Sequence, residues 1–297
     1  MVKILEHSRR RVVVSAPCKL NLWLEITGKR ADGYHELFTI FHAIDLADRL
    51  TVVRTDGEGI TLTTCGRPCP ADPSNLVWKA AEALFSRTGR RFGLTVELEK
   101  RVPSGAGLGG GSSDAAAMLI AMNLLADARC SDAMLHECAA ELGSDVPFFL
   151  LGGTALARGR GERLEAILPE RAPHRWFVVV FPGVEAPTAK VYGAFSLDLK
   201  KPFPNEGYAL TTIERLPSDG RFEATNDLAK PFFTLFPQVA DLRERMQAET
   251  GRVFSVTGSG SAMFTTVEHR MAGLEVQRKL EAMQIADVFV CASEDAS

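Results

Sequence analysis

Nowhere does this sequence carry the run of about 18 apolar residues that a membrane-spanning helix requires, so no membrane partner is expected. The cluster Arg9-Arg10-Arg11 is not read as an export signal. The apolar stretch after it, Val12-Val13-Val14, is broken by Ser15, Pro17 and Lys19 before a hydrophobic core can form. Excess charge is missing too: 34 basic against 37 acidic residues leave a net −3. With no basic stripe carrying interleaved aromatics, nucleic acid is not an expected partner. Cysteine is sparse, and six in 297 residues do not make a disulfide framework. Cys65 and Cys69 form one C-x3-C pair, but no second Cys or His pair stands at metal-ligand spacing, so no protein-held metal is expected. All six cysteines read as reduced thiols of a cytoplasmic protein. Internal repeats are lacking.

What is present fits a soluble globular protein, 46% hydrophobic and 24% charged, long enough for one large or two ordinary domains. Strands are expected at 12–17 and 19–26, the second alternating with period two. An apolar run follows at 37–46, then a strand near 49–53. Residues 55–73 read as a loop or hairpin and 74–85 as a capped helix. Residues 93–100 alternate as a half-buried strand, and 115–125 read as a buried helix with Ser112 or Ser113 as its N-cap. Further helices are expected at 131–142, from 144, at 227–236, 238–249 and 271–283. Strands are expected at 153–158, 176–181, 253–257, 262–267 and 286–291, and 197–219 reads as irregular. Mixed strands and helices in two halves predict two α+β domains, 1–160 and 161–297, with a cleft between them.

The most informative stretch is 103–114, Pro-Ser-Gly-Ala-Gly-Leu-Gly-Gly-Gly-Ser-Ser-Asp. Glycine buries no side chain and costs about 1 kcal/mol relative to Ala wherever ordinary backbone would serve. A glycine run between a strand and a helix aims backbone N–H groups and the positive helix end at one point, which suits a phosphate. The residues formally satisfy G-x-G-x-x-G. A dinucleotide fold, however, needs a strand ending in an acidic residue about 20 positions on, where this chain has Asp127 or Asp132 at a helix end or start. The P-loop is excluded because no Lys follows the glycines, and the protein-kinase motifs V-A-I-K, H-R-D and D-F-G are absent. A flexible Gly/Ser linker is the plain alternative, but the flanks are ordered and apolar.

Four other patches add chemistry, each with a plainer reading beside it. Lys19 and Asn21 share one strand face, able to hold a phosphate or hydroxyl, or simply exposed. The turn Asp32-Gly33 delivers Tyr34 and His35 to a loop, where a ring and an imidazole suit base stacking and reading; a surface hairpin is equally compatible. Asp145 stands at a helix start, where the dipole favours negative charge with or without a function. Residues 256–262 form a strand, a small-residue turn and a strand, which is either a hairpin or a backbone approach to a ligand.

Together these patches resemble the GHMP kinase superfamily. Residues 105–113 look like its phosphate loop and 256–262 like its third motif. The segments 16–22, 28–35 and 143–149 are similar to one branch, which acts in the non-mevalonate isoprenoid pathway. Its alcohol is a methylerythritol unit carried on cytidine diphosphate. The resemblance spans about 12–267 and is weak over 55–72, 197–223 and the last residues. It implies a two-domain α+β fold with the active site in the inter-domain cleft, and transfer of the ATP γ-phosphoryl group to the 2-hydroxyl, with Mg2+ carried on the nucleotide. By matching positions, Lys19 and Asp145 would be catalytic. Asn21, Tyr34, His35, Thr188 and Tyr192 would bind substrate, with the two tyrosines sandwiching the cytosine. Asn75 and Lys100 would lie near the adenine. Pro103, Ser104, Gly105, Ala106, Gly107, Leu108, Gly109, Gly110, Gly111, Ser112 and Ser113 would wrap the triphosphate, with Gly258 approaching from the other half. Cys18 stands where many members carry Ala, a small change that leaves Lys19 in place. A monomer or weak homodimer is expected. A kinase for mevalonate or homoserine, and a nucleotide sensor without turnover, remain as alternatives.

Overall fold

The computed structural model describes residues 1–126, 130–172, 174–196, 204–285 and 287–294. The chain opens with edge strand β1 (Lys3–His7), then β2 (Arg11–Lys29) and β3 (His35–Thr55), which run antiparallel along most of their lengths. Each of these two long strands had been read as two pieces. Pro17 cannot donate to a ladder, and the register shifts between Pro17 and Cys18, so that β2 bends there without ending. Next come β4 (Ile60–Gly66), α1 (Leu76–Thr88) and β5 (Gly93–Lys100), then α2 (Gly110–Leu125), α3 (Asp132–Leu142) and α4 (Val146–Leu151). Asn75 caps α1 by accepting the Val77 N–H, and Ser131 caps α3 through Met134. The helix after the glycines begins earlier than expected. Gly109, at φ +72°, is its N-cap and makes no side-chain cap bond, so Ser112 and Ser113 lie inside the first turn.

The β6 (Thr154–Gly159) and β7 (Arg163–Ile167) hairpin extends the same sheet, β6 pairing the first half of β3 while β5 pairs its second half. The expected division at 160/161 thus falls inside this hairpin. The second half supplies β8 (Trp176–Phe181), α5 (Thr188–Ala194), α6 (Glu206–Glu214), β9 (Thr225–Asn226), α7 (Ala229–Leu235) and α8 (Pro237–Thr250). It closes with β10 (Ser255–Val256), β11 (Met263–Val267), α9 (Arg270–Ala282) and β12 (Asp287–Ala292). Four strands make an antiparallel sheet in the order β10-β11-β8-β12, whereas β9 crosses to pair in parallel with β2. Helix α6 occupies part of the span read as irregular, with Asn205 as its cap; 197–203 lie outside the described residues, as does Ala286. No helix is long and apolar enough to cross a membrane, among the described residues.

Three apolar clusters hold these layers. One packs α1–α4 against the large sheet, and another packs α7–α9 against the small sheet. The third lies between the sheets, where Leu20, Leu22 and Ile40 meet Phe177, Val179 and Phe264. The halves therefore share a core.

His42, on β3, ties the chain's end into this frame. Its two ring nitrogens lie 2.8 Å from Thr154 Oγ1 and 2.8 Å from Ser293 Oγ, beside the bridge between Ile44 and Ser293. Burial pushes its pKa from 6.5 down to about 3, helped by His174 and Arg175. The ring is thus neutral when folded, and the unfolded chain takes up a proton as pH falls below about 6.5. Stability from this group is complete above that value and is lost progressively towards pH 3. Between pH 7 and 5 the wild type should lose about 2 kcal/mol more than His42→Gln. Urea titrations at both values check this; parallel losses would remove His42 from the acid limb.

Candidate active site

The site begins with the way the glycine loop is held. Four successive carbonyls are spoken for. Gly105 O accepts the Ala186 N–H, Ala106 O the Ala262 N–H, Gly107 O the Lys19 ammonium and Leu108 O the Lys19 N–H. Because a trans peptide points its N–H opposite its carbonyl, each N–H of 106–109 faces away from the partner that holds the carbonyl before it, in a loop that lines the cleft. Gly107 has φ +77°, and a Cβ there would strike the Thr257 carbonyl oxygen, which cannot give way. Only glycine lets the two halves' backbones meet here. The start of α2 stands directly behind, completing a cradle for anionic oxygens.

Below the loop lie Lys19 and Asn21, on one face of β2 as their spacing predicts. Lys19 Nζ donates to Asn21 Oδ1 at 2.5 Å and Gly107 O at 2.8 Å, and stands 3.8 Å from Asp145 Oδ2. Burial pulls its pKa below the usual lysine value, and the Asp145 carboxylate pulls the other way. Asn21 is buried, and its Nδ2 donates to Thr39 Oγ1 at 2.9 Å, so this amide orients Lys19 from inside the protein. Gly258 adjoins Gly107, Asn21 and Lys19 from the second half. Asp145, at the start of α4, is one-third exposed and faces the cleft.

The cleft holds about 1250 Å3, larger than the 300–1,000 Å3 usual for one small ligand, and so suits two ligands meeting. In the same cleft the His35 and Tyr192 rings lie 5.3 Å apart, with Phe195 edge-on to His35. Tyr34 is exposed, and Thr188 Oγ1 lies 3.1 Å from Ser259 Oγ. Burial and the charge of Lys29 lower the His35 pKa, leaving a neutral imidazole with one donor and one acceptor.

Comparison with known proteins gives the family. The profile described as the GHMP kinases N terminal domain matches residues 75–153, and that of the GHMP kinases C terminal matches 214–286. A 4-diphosphocytidyl-2-C-methyl-D-erythritol kinase from Geobacter sp. (strain M21) is 38% identical over 276 residues, covering 92% of this chain and 95% of the relative. One from Moorella thermoacetica is 43% identical, covering 83% and 86%. A crystal structure of 4-(cytidine 5'-diphospho)-2C-methyl-D-erythritol kinase, 37% identical, covers 95% of this chain and 98% of its own at a TM-score of 0.80. The chain belongs to the 4-diphosphocytidyl-2-C-methyl-D-erythritol kinase family. A homoserine kinase from Cytophaga hutchinsonii, 20% identical, has a TM-score of 0.70 and covers 99% of this chain and 98% of its own; it shares the fold. As a GHMP kinase the chain is an ATP-dependent phosphotransferase.

Every site residue read from the sequence except Ser113 lines this kinase cleft. Ser113 is fully buried, and its hydroxyl has no hydrogen-bond partner among the described residues. Asn75 lines the cleft, but its amide is engaged in capping α1 and in donating to the Pro70 carbonyl. Lys100 is likewise engaged. Its ammonium donates to Asp48, and to Asp114 Oδ2 at 2.8 Å, with all three side chains buried. Burial alone would lower the Lys100 pKa, but Asp114 and Asp48 outweigh it and raise it. Asp48 Oδ1 also accepts the backbone N–H groups of Arg101 and Val102, the residues leading into the loop. Asp48 and Asp114 were missed because their partner is apparent only once the chain is folded; Asp114 adjoining the glycine run was the available hint. Lys100→Met leaves two buried carboxylates face to face and should cost about 3–5 kcal/mol, lowering Tm by roughly 5–15 °C. Asp114→Asn, which leaves Lys100 paired with Asp48, should cost less than half of this. Thermal melts followed by circular dichroism decide; a Lys100→Met melt matching wild type would remove the ion cluster as an anchor.

Proposed function

We propose that this kinase transfers the γ-phosphoryl group of ATP to the 2-hydroxyl of 4-diphosphocytidyl-2-C-methyl-D-erythritol in the non-mevalonate isoprenoid pathway. One observation carries the reading. The glycine loop, the Lys19–Asp145 pair and the rings of Tyr34, His35 and Tyr192 all line one cleft. A nucleotide enters against the loop, with its adenine towards Asn75. The cytosine of the second ligand lies between Tyr34 and Tyr192, where stacking on an aromatic ring is worth roughly 1–3 kcal/mol. The neutral His35 bonds the edge of the base, while Thr188 and Asn21 complete the substrate wall.

Phosphoryl transfer passes through a loose transition state, so positioning and electrostatics matter more than base strength. Asp145 orients the acceptor hydroxyl and takes its proton. Lys19, held by Asn21 and the Gly107 carbonyl, stays beside Asp145 and opposes the negative charge gathering on the moving group. The N–H groups of 106–109 do the same for the phosphate oxygens. The side chains of Ser112 and Asp145 give the cleft the hard oxygen donors that Mg2+ prefers. Mg2+ arriving on ATP would neutralise phosphate charge there, with phosphates and water supplying most of its shell. The six unpaired cysteines suit a cytoplasmic protein.

An ADP-release assay with ATP and Mg2+ tests this reading. Turnover is expected on the cytidine diphosphate substrate and not on mevalonate or homoserine. Turnover on another alcohol would overturn the substrate assignment, and binding without turnover would make the chain a sensor. Asp145→Asn should retain both ligands and lose about 10²–10⁴-fold in kcat. Unchanged turnover would take Asp145 out of the mechanism. His35→Ala should act chiefly on the KM of the cytidine substrate, and a pure kcat defect would contradict its place at the base.

A further inference from the structure

The β2–β3 ladder changes register again between Asn21 and Trp23, so that Asn21 faces Phe41 while Trp23 faces Ile40. A bulge of this kind re-aims the side chains beside it. Here the Thr39 hydroxyl, from β3, meets two neighbours at once. Its Oγ1 lies 2.5 Å from the Trp23 carbonyl oxygen and 2.9 Å from Asn21 Nδ2, and both Thr39 and Asn21 are buried.

The direction of each bond follows from the groups themselves. A carbonyl oxygen only accepts, so the one proton of the Thr39 hydroxyl goes to Trp23. Lone pairs alone are left on Oγ1, and the end of the Asn21 amide that faces them has to be the NH2. The amide oxygen is thereby turned to the Lys19 ammonium, 2.5 Å away. Thr257 favours the same orientation: its Oγ1 accepts the Asn21 backbone N–H at 2.9 Å and donates to Asn21 Oδ1 at 3.4 Å. An amide turned over would set an NH2 group against the ammonium and remove one of its two acceptors, leaving the Gly107 carbonyl.

We propose that Thr39 is a positioning residue for phosphoryl transfer, its hydroxyl fixing which end of the Asn21 amide meets Lys19. Thr39 has no exposed surface and acts on the reaction through Asn21. The inference rests on the catalytic place proposed above for Lys19.

The test is kinetic: kcat and the KM for ATP of Thr39→Val and Thr39→Ser, with single-turnover rates of Thr39→Val in an Asn21→Ala background. Val keeps the branched shape that suits a strand and loses only the hydroxyl. Thr39→Val should lower kcat by roughly 10–100-fold, the scale of a hydrogen bond to a charged group, with the KM for ATP little changed. Thr39→Ser, which keeps the hydroxyl, should retain most of the activity, and Thr39→Ala serves if the Val variant does not fold. In the Asn21→Ala protein there is no amide to orient, so Thr39→Val should cause no further loss. The same loss in both backgrounds would make Thr39 a structural residue and overturn the proposal. A Thr39→Val kcat equal to wild type, or a Ser variant as impaired as the Val variant, would overturn it too. Failure of the catalytic reading would appear separately, as Lys19→Met protein that turns over at the wild-type rate.

Discussion

The Lys100 ammonium, shared by Asp48 and Asp114, is the constraint on which the rest of the site depends. Those two carboxylates come from β3 and α2, and Lys100 closes β5. One buried ion cluster thus fixes the strand that enters the glycine loop, the helix that leaves it and the long strand beneath. Asp48 adds the backbone N–H groups of Arg101 and Val102, so the loop's entry is set by hydrogen bonds as well as by charge. Charges buried so deeply are costly when isolated and tolerable only as a set. Without this anchor the glycines between would have no defined path, because a residue with no side chain contributes nothing to its own placement.

From that anchored start the loop is shaped by what surrounds it. Ala186 and Ala262 from the second half and Lys19 from the first consume its carbonyls in succession. The phosphate cradle is thus defined by both halves. Asn21 shows the same economy: its backbone N–H donates to Thr257 Oγ1, its Oδ1 receives the Lys19 ammonium and its Nδ2 reaches Thr39. A single residue joins the two halves and points the amine at Asp145.

Much of this was legible in the sequence where the signal is local. The glycine run, the capped helix after residue 73 and the pairing of Lys19 with Asn21 by strand parity need only neighbours in the chain. The segments read as helix or strand kept their type, whereas β1, β7, α5 and α6 were not read as elements, and boundaries moved where backbone chemistry outranked side-chain propensity. Gly109 in the left-handed region starts α2 without the Ser cap that a cap preference suggests. Pro17 looks like a strand end because it lacks a donor, yet a bulge carries β2 through it. The two carboxylates around Lys100 were out of reach, since 52 and 14 positions separate them from their partner.

The closure of Ser293 on His42 spans 251 positions, and that of Thr257 on Asn21 spans 236. Contacts between segments so distant repay their closure entropy late, so they are slow to form. The glycine run, whose carbonyls are held by Ala186 and Ala262, thus takes its final shape only when the fold as a whole closes, whereas the strand and helix on either side of it rest on nearer neighbours.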